Sequence, residues 1–160
     1  MAFFVLSLWF QAGWFLAVAG RESYLLLTLA WVGMSYVWQW RNQSQTMLSM
    51  VAFALFGMAL DQANIYFGIL DFSQTWLPVW MIGLWLLFAW YGSHFVAAFA
   101  HWPKRWLCLL VATSATLSYY AGSALGAVSF ESMRLSLTVL FGQWLIIAQL
   151  MTVLLMRKRE

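Results

Sequence analysis

Charged residues punctuate the chain at positions 21–22, 41, 61, 71, 104–105, 131, 134 and 157–160 and occur nowhere else. The stretches between them are apolar and run about 17 to 25 residues, the length that crosses a ~30 Å hydrocarbon layer as helix. Read in order they predict six helices, at about 3–20, 24–40, 46–70, 77–100, 107–129 and 134–156, joined by short turns. No linker rich in Gly, Ser, Pro or charge interrupts them, and nothing outside them is long enough to fold alone. The pattern therefore predicts one all-α integral membrane domain over residues 1–160, a compact bundle of six transmembrane helices. The segments FQAGWFLA (10–17) and FGQWLIIA (141–148) are only as alike as aromatic-rich apolar stretches become by chance, and no internal repeat is read from them.

Composition supports this reading. Of the 160 residues, 64% are hydrophobic and 8% charged, against roughly 25% charged in a soluble domain. Ala17-Val18-Ala19 has the small-x-small form of a signal-peptidase site. No positive residue precedes that apolar run, and Gln11 and Trp14 interrupt it, so it reads as a retained first span. The lone Cys108 excludes an internal disulfide and, with two histidines, argues against a thiolate metal site. No metal and no cofactor is expected.

Orientation follows from Lys and Arg in the short loops. On a six-helix path Arg41, Lys104, Arg105, Arg157, Lys158 and Arg159 fall on one side and Arg21 and Arg134 on the other, which places both termini in the cytoplasm. Trp38, Trp40, Trp102 and Trp106 then sit at the inner interface and Trp76 and Trp80 at the outer one, where indoles prefer to lie. The net charge of +3 comes from residues flanking spans and needs no nucleic acid to explain it.

In the fifth span Ser114, Ser118, Gly122 and Gly126 recur every four positions and end in G-x-x-x-G, the spacing that lets helix backbones approach closely in lipid. In the third, Gly57, Asp61, Asn64 and Gly68 share one helix face, so Asp61 looks at protein along a glycine-lined seam. An ionised Asp at the bilayer centre costs roughly 2.5–3.5 kcal/mol even on lenient scales. No Lys or Arg lies within a span to neutralise it. Asp61 is therefore protonated, hydrogen-bonded, reached by water or bound to a cation.

His94 shares a face of the fourth span with Trp80, Gly83, Leu87 and Trp90, and His101 falls at the inner interface. The helical rise puts His94 well inside the depth of Asp61, so a direct dyad is not expected. Gln11 and Gln143 fall near the centres of the first and last spans, close to the depth of Asp61, Ser118 and Tyr119. These residues predict a polar layer at the midplane, either a hydrogen-bonded belt or the lining of a small cavity. No nucleophile elbow, P-loop, H-E-x-x-H, C-x-x-C or G-x-G-x-x-G is present.

Four segments together, FQAGWF (10–15), LDQANIYFGILDF (60–72), LPVWMIGLWLLFAWYGSHF (77–95) and LSYYAGSALGAV (117–128), carry a resemblance. The chain resembles a family of small proteobacterial inner-membrane proteins classified as a domain of unknown function, some encoded beside fatty-acyl-modifying enzymes. The resemblance implies a bacterial inner-membrane location and, by association only, lipid metabolism. Where that family often has Gly-Pro and Asn-His, this chain has Ala115-Thr116 and Ser93-His94. The first difference removes an expected kink in the fifth helix, and the second puts Asn-assisted chemistry at His94 in doubt.

Three readings stay open. The first is a membrane component of a lipid-related or envelope-related process, with membrane lipids and other inner-membrane proteins as partners. The second is a proton- or cation-coupled transporter in which Asp61 binds the ion, helped by Asn64 and Tyr119. The third is an integral membrane enzyme acting on a lipid through His94 and Asp61. The second needs a water-filled path to Asp61, and the third a lateral opening beside His94.

Overall fold

The computed structural model describes residues 2–156 and turns the apolar stretches into α1 (Ala2–Gly20), α2 (Leu25–Gln43), α3 (Met47–Tyr66), α4 (Val79–Ala98), α5 (Lys104–Ala124) and α6 (Met133–Met156). The basic tail counted toward the cytoplasmic side, Arg157 to Arg159, lies outside the described residues. Short 3-10 turns, Arg21–Tyr24 and Ser44–Thr46, link the first three helices. Taken with its turn, the α1–α2 pair is one helical stretch, Phe3–Gln43, and five stretches are long and apolar enough to cross a membrane. That first stretch folds back on itself. The Trp9 and Trp31 rings stack with centroids 3.9 Å apart, whereas straight helix would separate them by about 33 Å. The reversal falls at Arg21, whose backbone is left-handed (φ 46°).

α4 is the central helix. It is apolar around its whole circumference, the pattern of a helix enclosed by others. Half of its span is buried, against 28–39% in the other stretches. It packs against α1, α2, α3 and α6, while α5 packs chiefly on α6. Pro78 and Pro103 immediately precede α4 and α5, where the first-turn N–H groups have no helical partner and proline removes nothing.

Two helix ends differ from the sequence expectation for one physical reason. The third helix stops at Tyr66 rather than near 70, and the fifth at Ala124 rather than near 129. Gly68 and Gly126 each adopt φ +70°, a left-handed conformation that closes a helix. In both, the glycine N–H bonds the carbonyl three residues back, and the next N–H bonds the carbonyl five back: Gly68 to Ile65 and Ile69 to Asn64, Gly126 to Ser123 and Ala127 to Gly122. Gly68 and Gly126 are thus caps, not members of a helix-packing seam. Three residues after each cap, Asp71 and Ser129 exchange both backbone hydrogen bonds, at 3.0 and 2.7 Å. The α3–α4 and α5–α6 hairpins therefore share a plan at an offset of 58 residues, an internal correspondence that the sequence comparison did not find.

Candidate functional site

The polar residues of LDQANIY near the end of α3 take three separate partners. Gln62 clamps the loop to α4, donating to the Thr75 carbonyl (2.9 Å) and accepting from the Leu77 N–H (2.9 Å). Asn64 and Gln143 form a reciprocal amide pair between α3 and α6, at 2.9 and 2.8 Å. Asp61, 2% exposed, receives the Trp85 indole N–H on Oδ2 (2.7 Å) and the Tyr119 hydroxyl between its oxygens (2.8 and 2.7 Å). A longer contact, 3.5 Å, comes from the Asn64 amide.

The helical face read from the sequence explains why Trp85 fits there. Gly57 lies one turn before Asp61, and a Cβ on it would overlap the six-membered ring of Trp85. The bare backbone leaves room for the indole to lie flat and aim its N–H at Asp61. On its other side Trp85 stacks on Trp144 of α6, centroids 5.4 Å apart and planes within 3°. One carboxyl group thus ties together α3, α4 and α5, with α6 joined through Trp144 and the Asn64–Gln143 pair.

Beyond this knot lies a cavity of about 490 Å³ between α1 and α4 on one side and α5 and α6 on the other. Trp85, Tyr119 and Trp144 form part of its wall, and Asp61 sits behind them without lining it. Among the described residues, no charged side chain lines it. α1 and α5 come together near the Gly126 end, where Val18 faces Gly122, Trp14 donates to Ser118 Oγ (2.7 Å) and Arg21 donates to the Gly126 carbonyl (2.8 Å). A turn farther on, Gln11 and Ser114 line the cavity from α1 and α5 and are exposed, and the gap opens sideways. Phe15 on α1 and Leu117 on α5 both line the cavity, yet each is 58% exposed.

Ser114, Ser118 and Gly122 border the cavity, and where α1 meets this row, at Ser118 and Gly122, the contact is through the Trp14 and Val18 side chains rather than by close backbone approach. A Cβ on Gly122 would sit 3.7 Å from Val128, an ordinary contact, and one on Gly126 would meet nothing. Close helix packing at a glycine occurs instead at Gly57. Gln11 lies exposed on the α1 lip of the crevice and Ser114 on the α5 lip.

His94 belongs to a different place. Its Nε2 pairs with Gln39 Oε1 (3.0 Å), and the Gln39 amide donates to Thr46 Oγ1 (2.8 Å), which fixes the α2–α3 turn on α4. Its ring packs beside Trp38 and Trp90, on the α2 side of α4. Along α4 it lies about 13 Å beyond Trp85, and it does not line the crevice. His101 is exposed, and Cys108 is buried with a free thiol. Among the described residues no three His, Cys, Asp or Glu side chains gather as metal ligands would.

The residues that sequence reasoning missed are Trp14, Trp85 and Trp144. A signal was available: Trp85 lies about as far from the start of α4 as Asp61 lies from the end of α3, and a mid-helix indole N–H needs an acceptor.

No curated protein and no solved structure matches the chain. The family described as a protein of unknown function, DUF2878, matches residues 4–150. Since that match runs from α1 well into α6, the chain belongs to the DUF2878 family.

Proposed function

We propose that the protein is a six-span component of the bacterial inner membrane that takes a lipid chain into the crevice between α1 and α5, serving a lipid-related or envelope-related process. The observation that carries this reading is the crevice: about 490 Å³, within the roughly 300–1,000 Å³ of ligand sites, uncharged, walled by aromatic rings and open sideways. A chain moving there from the bilayer gains no hydrophobic free energy, because lipid is as apolar as the cavity. Its gain is dispersion contact with walls that otherwise lack partner atoms. Exposed apolar side chains elsewhere, such as Leu26 (82%) and Leu48 (74%), suit ordinary bilayer contact. The Lys and Arg count supports both termini in the cytoplasm.

The same geometry favours this reading over the other two. A cation site needs several oxygen ligands, whereas N–H and O–H donors already occupy both oxygens of Asp61, and a proton carrier needs a water-filled path to Asp61, which is 2% exposed and does not line the crevice. An enzyme using His94 with Asp61 needs the two side by side, and they lie in separate networks. Asp61 then acts as a positioning residue that holds Trp85 and Tyr119 in the crevice wall.

The test is labelling in nanodiscs by a phospholipid with a photoactivatable group midway along one acyl chain, followed by peptide mapping. Adducts should concentrate on the crevice walls of α1 and α5. Adducts spread evenly over all exposed apolar faces would reject the reading.

A further inference from the structure

We infer that the crevice selects an uncharged lipid, one bearing a hydroxyl or carbonyl group at mid-bilayer depth and no ionic headgroup within the crevice. This rests on the crevice being a lipid site and goes further, to the chemistry of the occupant. Gln11 and Ser114 line the cavity from opposite lips. Each lies at the middle of its helix, Gln11 within Ala2–Gly20 and Ser114 within Lys104–Ala124, so in a membrane both fall near the midplane.

Four of the hydrogen bonds around the cavity already engage other polar side chains, Trp14 with Ser118, Ser7 with Tyr91, and Trp85 and Tyr119 with Asp61. Gln11 and Ser114 make no hydrogen bond among the described residues. Hydrocarbon offers no water to satisfy them, and an unpaired amide or hydroxyl there is costly. A ligand carbonyl can accept from both the Gln11 amide and the Ser114 hydroxyl, and a ligand hydroxyl can also donate to Gln11 Oε1.

The wall excludes the charged alternatives. With no Lys, Arg, Asp or Glu lining the cavity, a phosphate, carboxylate or ammonium drawn inside would be an uncompensated charge in a low-dielectric site. On α1 the lining runs from Ser7 to Val18, about 16 Å of helix or half a hydrocarbon layer, with Gln11 between its ends. Apolar chain can therefore extend to either side of the polar group.

The experiment compares two diazirine probes of matched length in nanodiscs, a long-chain alcohol and the corresponding alkane, on wild type, Ser114→Thr and the double variant Gln11→Leu/Ser114→Ala. Both positions are exposed, so all three proteins should melt alike in detergent. The alcohol should label crevice peptides about ten-fold more than the alkane in wild type, the factor one net hydrogen bond supplies. Ser114→Thr should keep that preference and the double variant lose it. Equal labelling by alcohol and alkane in wild type, a preference surviving in the double variant, or equal competition by an anionic phospholipid would overturn the inference while leaving a chain-binding crevice. Labelling of the crevice by neither probe would overturn the lipid reading as well.

Discussion

Replacing Asp61 by Asn puts an NH2 group where one of two oxygens receives hydrogen bonds from Trp85, Tyr119 and, more weakly, Asn64. With that group in the Oδ1 position the remaining oxygen still receives Trp85 and Tyr119, whose hydroxyl can itself accept from the NH2, whereas Asp61→Leu leaves every donor unmatched. Asp61→Leu should therefore lower stability in detergent by roughly 1–3 kcal/mol, the cost of buried polar groups left unmatched, and Asp61→Asn by much less. Tyr119→Phe, which removes one donor and leaves Trp85 in place, should cost about 0.5–1.5 kcal/mol. Thermal unfolding followed by near-ultraviolet circular dichroism reads all three, and an Asp61→Leu protein that melts like wild type would show that Asp61 is not holding the wall. At this scale the polar layer was partly legible: shared depth grouped Gln11, Asp61, Ser118, Tyr119 and Gln143, of which Tyr119 meets Asp61 and Gln143 joins through Asn64, while Ser118 pairs with Trp14 and Gln11 lies on the crevice lip. Depth along a helix is read directly from residue number. The direction in which His94 points is not, because α4 is apolar on every side and no periodic stripe marks its faces.

The spacing of charges foretold where helices lie, but not how two of them end. Residues 67–70 and 125–129 are apolar enough to extend a span, and only the left-handed glycines stop the helices earlier. The α1–α2 stretch poses the converse problem, since helical backbone runs with little interruption through a polar turn. If α1 and α2 are separate spans, the turns at 21–24 and 44–46 lie on opposite sides of the membrane. In a Cys108→Ser background, Ser23→Cys should react with an impermeant thiol reagent added to cells with a permeable outer membrane. Ser44→Cys should react only after the inner membrane is opened. Reaction of both without opening would mean that α1 and α2 do not cross as a pair, and the six-span path would fall.

At the scale of the whole molecule, the crevice exists because α1 and α5 pack on different partners, α1 on α4 and α5 on α6. A void of this kind depends on where two neighbouring helices part, and no local pattern encodes it. The sequence placed Gln11 and Ser118 near mid-span and Ser114 in a packing row, without showing that Gln11 and Ser114 line one cavity. The most direct measurement is native mass spectrometry of protein gently extracted from its own membrane, with Ala121→Trp as the comparison, because Ala121 lines the crevice and an indole there obstructs it. The wild type should carry one lipid per chain that survives removal of detergent, and Ala121→Trp should fold equally well yet appear without it. Wild-type protein observed bare, or the same lipid retained by both proteins, would contradict a lipid-binding crevice.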